Sequence, residues 1–162
     1  MQKQLIVLIV VGMMASSAFA VKSSPSNEVG FWELNIQRGY NLVSFPVLPD
    51  NKDVDEVIGT QLIGAATEEE ADRIAWYNPE SGDFLTAWLN SESGMWEGEL
   101  QELSEIKGYW IFVPDNHPET QAVKIVGNVF EGSEADLGAM HPGYNLVGNP
   151  YPSGINWGSV EK

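Results

Sequence analysis

The sequence predicts an all-β fold, a sandwich or partly open barrel of short antiparallel strands with one or two short helices. Three observations carry this. Apolar and polar residues alternate at period two over several short stretches. Sixteen glycines and nine prolines punctuate those stretches. An octet occurs twice, as Gly39-Tyr40-Asn41-Leu42-Val43-Ser44-Phe45-Pro46 and as Gly143-Tyr144-Asn145-Leu146-Val147-Gly148-Asn149-Pro150, with six of its eight positions identical. Each copy reads as a turn, a strand and a breaker, and repeated segments of this kind report architecture rather than chemistry.

Structure is expected to begin at Phe31, where Trp32, Leu34 and Ile36 fall on one face of a strand and Glu33 and Asn35 on the other. Gln37-Arg38-Gly39 has the length and the glycine of a hairpin loop, so residues 40–45 are predicted to return as the partner strand. Pro46 and Pro49 end it. Val54, Val57, Ile58 and Leu62 then take helical spacing behind Asp53, predicting a short helix over 53–63 capped by that aspartate. Thr67-Glu68-Glu69-Glu70 has capping-box spacing and reads as a second helical turn or an acidic loop.

A second hairpin follows: Ile74, Trp76 and Asn78 alternate, Pro79-Glu80-Ser81-Gly82 supplies turn chemistry, and residues 84–89 return. Residues 90–98 form a Ser/Gly-rich loop carrying Met95 and Trp96. Tyr109-Trp110-Ile111-Phe112-Val113 is apolar at every position, as in a strand covered on both sides. Residues 121–126 read as a strand with Val123 and Ile125 inward, Val129 and Phe130 as a short addition, and the second octet as a strand from Gly143.

The first 20 residues read as an export signal: Lys3, an uncharged apolar run over 5–15, and Ala18-Phe19-Ala20 before a cleavage point between Ala20 and Val21. That run is too short to span a bilayer. Residues 21–30 are polar and breaker-rich, a flexible mature N-terminus; 31–157 are expected to form a single β domain and 158–162 a tail. With 23 acidic residues against eight basic ones and a formal charge of −15, the chain repels phosphate backbones and anionic lipid. Nucleic-acid partners are therefore excluded, and no membrane span is expected. Without cysteine, cohesion must come from packing.

The run Gly143-Tyr144-Asn145-Leu146-Val147-Gly148-Asn149-Pro150-Tyr151-Pro152-Ser153, with its Ile155-Asn156-Trp157 ending, resembles a motif of large secreted proteins of Bacteroidetes-type bacteria. Lys107-Gly108-Tyr109-Trp110-Ile111 is similar to a second element found upstream of it. The resemblance implies a secreted or cell-surface setting, often linked to type IX secretion, and names no activity. Relatives generally continue past the equivalent of Trp157, so it implies a truncated or short member without a sorting tail. Were the second octet to open an incomplete module, another chain would supply its missing strand. Were it to close against the Gly39 strand, the protein would be a monomer.

Candidate chemistry is thin. Asn41 and Asn145 read as ligand-facing amides or, more simply, as ties for neighbouring loops. Of six tryptophans, Trp32, Trp76 and Trp110 sit in strands and read as core. Trp88 and Trp96 flank the Ser/Gly-rich loop and are the candidate carbohydrate-binding residues, with loop anchoring the simpler account of both. The acidic cluster from Asp50 to Glu56 lacks the glycine and glutamate of an EF-hand. His117 and His141 each neighbour a proline, with no cysteine and no nucleophile motif. No catalytic residue, metal site or cofactor is expected. The expected function is that of a non-enzymatic structural or adhesive module, whose partners are other extracellular proteins, itself included, or glycans. The alternative is a carbohydrate-binding module using Trp88 and Trp96, and a small glycoside hydrolase comes third.

Overall fold

The computed structural model describes residues 29–130, 135–138 and 140–153. The export signal, its cleavage point at Ala20 and Val21, and the Trp157 ending lie outside them.

Among the described residues, eight strands and one helix follow in the order β1 (Val29–Gln37), β2 (Gly39–Ser44), β3 (Val47–Leu48), α1 (Val54–Ile58), β4 (Arg73–Asn78), β5 (Asp83–Leu89), β6 (Trp96–Gly98), β7 (Gly108–Val113) and β8 (Thr120–Val129). They make a two-sheet antiparallel sandwich, a three-stranded sheet ordered β1-β8-β3 and a five-stranded sheet ordered β2-β7-β4-β5-β6. Among the described residues no helix is long and apolar enough to cross a membrane.

The β4–β5 hairpin forms with Asn78 opposite Asp83. The turn is closed by Gly82 N–H donating to Asn78 O at 2.9 Å. The first predicted hairpin does not form. β1 pairs along its whole length with β8, and β2 pairs with β7. The segment from Val29 to Ser44 is instead one arm of a bent ribbon whose other arm runs from Gly108 to Val129. Gln37 faces Thr120 and Gly39 faces Val113, and the six-residue loop between those partners lets the ribbon turn from one sheet into the other. Arg38 marks the corner: its N–H donates to Glu119 O at 3.1 Å and its Nε to His117 O at 2.6 Å.

The repeated octet encodes this kind of turn. Asn41 Oδ1 accepts from Gln37 N–H at 2.9 Å while its Nδ2 donates to Gln37 O at 2.6 Å. Asn145 repeats both bonds with His141, at 3.1 and 2.9 Å. Gly39 and Gly143 stand at φ 86° and 102°, a region that side chains resist. Past the turn the copies diverge. The first becomes β2; the second makes a single bridge, Val147 to Lys107, at the start of β7 and not against the Gly39 strand. Their two differing positions explain why. Gly148 lies where a Cβ would come within 2.3 Å of Lys107 O, so the Ser44 of the first copy would not fit there. Phe45 is fully buried, whereas its counterpart Asn149 ties a surface turn, accepting from Tyr151 N–H and donating to Ser153 O.

The core lies between the sheets. Ile36 from β1, Ile74 from β4, Tyr109 and Ile111 from β7 and Val123 and Ile125 from β8 meet Phe45 and the α1 side chains Val54, Val57 and Ile58. The helix is shorter than predicted, because Gly59 turns the chain at φ 57°. Asp53 makes no side-chain cap; the chain before the helix is held by Asn51 Oδ1, which accepts from Asp53 N–H at 3.1 Å. Thr67 to Ala71 is one turn, with Ala71 N–H donating to Thr67 O at 3.2 Å. Trp96 to Gly98, read as loop, forms the edge strand β6 on β5.

Tyr109 gives a test of this packing. It stacks on Phe45 at 5.4 Å between ring centres, and its hydroxyl accepts from Ser104 N–H at 2.7 Å. Burial pushes its pKa well above the ordinary 10.0. The native state therefore keeps a proton that the unfolded chain loses, so stability is full below pH 10 and falls as pH rises further. Lys107, lowered by partial burial and partly restored by Glu102, acts in the opposite sense. Tyr109→Phe is expected to be less stable than the parent at neutral pH but to show a flatter decline above pH 10.0, read from thermal midpoints across that range.

Candidate binding surface

The five-stranded sheet turns one face to the core and leaves the other open. Register fixes what stands on the open face. Tyr40, Phe112, Arg73 and Trp88 lie abreast across β2, β7, β4 and β5. Leu42, Trp110, Ala75 and Thr86 form the next row, and Tyr77 with Phe84 the end of a third. Tyr40 is 71% exposed, Leu42 61% and Phe84 51%. Contiguous apolar surface of this kind marks interaction sites on soluble proteins.

The rings are ordered by one another. Tyr40 sits 4.8 Å from Phe112 and 6.2 Å edge-on from Trp110, and Tyr77 sits 5.3 Å edge-on from Phe84. The Arg73 guanidinium lies 4.7 Å over the Phe112 ring, which keeps a cation beside the aromatic row. Between the Trp110 side and Phe84 the small side chains of Ala75 and Thr86 leave a trough of about 550 Å³, with Arg73 and Glu68 on its margin. Trp110 was expected in the core. It faces outward instead, because β7 carries large apolar residues on both of its faces, Tyr109 and Ile111 inward and Trp110 and Phe112 outward and half-buried. The strand is therefore not covered on both sides.

The two tryptophans singled out from the sequence do not make a joint platform. Trp88 shares the open face but is only 8% exposed. Trp96 belongs to the opposite side, packed against the core with its indole Nε1–H donating to Gly59 O at 3.0 Å. Trp76 likewise packs on the core side and carries the Lys107 ammonium 3.7 Å above its ring.

Two other constellations resolve into structural roles. Asp72 is fully buried and holds three partners: Ile63 N–H at 2.8 Å, Gln121 Nε2 at 3.0 Å and His117 Nδ1 at 2.7 Å. Through the His117 carbonyl it reaches Arg38, so this pair braces the ribbon corner, and no hydroxyl nucleophile is bonded to it among the described residues. In the Asp50 cluster, Asp50 accepts from Asn128 Nδ2 at 2.7 Å and Lys52 pairs with Glu105 at 2.8 Å. Among the described residues no three His, Cys, Asp or Glu side chains gather closely enough to hold a metal ion. His141 lies 3.7 Å from Glu80 on the surface. Comparison with family models, with curated proteins and with solved structures found no match.

Proposed function

We propose that this chain is a secreted or cell-surface β module that acts by adhesion, without catalysing a reaction, through the open face of its five-stranded sheet. The observation that carries this reading is the exposed side chains of Tyr40, Leu42 and Phe84 flanking the ordered rings of Trp110 and Phe112 on a sheet that needs none of them for its core. A globular domain gains nothing by leaving such rings in water, so a partner surface accounts for them. The resemblance of the Gly143 octet to modules of exported bacterial proteins supports the extracellular setting. Against chemistry, the fully buried carboxylate of Asp72 is occupied by three structural bonds.

The test couples the protein to beads and scores their attachment to cell envelopes of the producing organism and to one another. Tyr40→Ser combined with Leu42→Ser is expected to reduce attachment at least about tenfold while circular dichroism stays unchanged. Attachment that is unaltered in this double variant would overturn the proposal.

A further inference from the structure

We infer that the trough on the open face holds a neutral glycan chain, a reading that rests on the adhesive role proposed above and names its ligand. A pyranose ring is amphipathic in the way this surface is. Its C–H faces are apolar and stack on aromatic rings, while its hydroxyls project from the edge and need both donors and acceptors. The trough presents the Trp110 and Tyr40 rings on one side and Phe84 on the other, with the small Ala75 and Thr86 between them. β7 and β5 are separated by β4, two inter-strand spacings or about 10 Å, a width that admits a single sugar chain.

Charge selects among ligands. Arg73 offers donors and Glu68 acceptors at the margin, and among the described residues neither is engaged in an ion pair. A guanidinium and a carboxylate set apart suit neighbouring hydroxyls of one sugar, one accepting and one donating. An anionic polymer would meet Glu68 and the field of a chain with formal charge −15. An extended peptide is a poorer fit, because it would lay its amides over rings that cannot pair with them, whereas peptides that join sheets do so at an edge.

The experiment runs the protein through native gels containing neutral polysaccharides (β-glucan, xylan, mannan) and, separately, polygalacturonate, and repeats the bead-attachment assay in parallel. The expected result is retardation by at least one neutral polymer, unaffected by added salt, with none by polygalacturonate. Trp110→Ala and the more exposed Phe84→Ala should each weaken it about tenfold, and Arg73→Lys should weaken it less. Phe84 lies at the surface, so its variant keeps the test decisive should Trp110→Ala fail to fold. Absence of retardation by every neutral polymer, or retardation that survives Phe84→Ala, overturns the glycan proposal. If bead attachment still depends on Tyr40 and Leu42 in that case, the adhesive role stands with a different ligand; if it does not, both fall.

Discussion

Replacing Asp72 with alanine is expected to destabilise the protein by about 3–5 kcal/mol, because several hydrogen-bonding partners lose it at once, at about 1–3 kcal/mol for each group left unsatisfied. The carboxylate is fully buried, and its loss strands the Ile63 N–H, the Gln121 amide and the His117 ring together. Each of these would lose its partner in a part-buried site. Asp72→Asn should cost less, about 1–3 kcal/mol, because one oxygen remains to accept but an amide hydrogen is turned on a former donor. Urea unfolding checks both, as a lowered midpoint with the slope preserved. A loss below about 1 kcal/mol for the alanine variant would mean that the corner is not braced by this group.

Phe45→Ala should be comparably severe, about 3–5 kcal/mol, since it empties the centre of the core beside Tyr109. The informative comparison is Asn149→Ala at the same position of the second octet. There the side chain makes two bonds in a surface turn, and about 1 kcal/mol is expected. Equal costs at the two positions would contradict the division of labour between the copies. The same denaturation series measures both.

Where the sequence was legible, the signal was local. Alternation across Ile74, Trp76 and Asn78 with a proline–glycine turn predicts β4 and β5 because all the information lies within one hairpin. The paired glycine and asparagine of the octet likewise predict a tied loop, since each asparagine bonds a residue four positions earlier. The misread hairpin failed for the complementary reason. A strand, a glycine at positive φ and a second strand look the same whether the strands pair with each other or with distant partners. Here β8 and β7 outcompeted the local pairing.

The candidate surface was half visible. Five consecutive apolar residues from Tyr109 to Val113 stand out in a chain that otherwise alternates, and such a run has two explanations: cover on both sides or a bare aromatic face. Only the burial along the strand separates them: Tyr109 and Ile111 are fully buried, while Trp110 and Phe112 keep part of their surface in water. Trp88 and Trp96 were attractive by position in a loop-like stretch, yet β6 converts part of that stretch into strand and draws Trp96 inward.

The bent ribbon also governs the order of events when the chain collapses. β4, β5 and β6 can zip as a meander soon after they meet, but β1 finds its only ladder partner near the far end of the described domain. Loop-closure entropy must be overcome before that ladder yields anything, so folding is expected to be slow, on the order of milliseconds to seconds. A nascent polypeptide leaving the ribosome would hold its amino-terminal strand unpaired until β8 emerged, so productive nucleation falls late in synthesis.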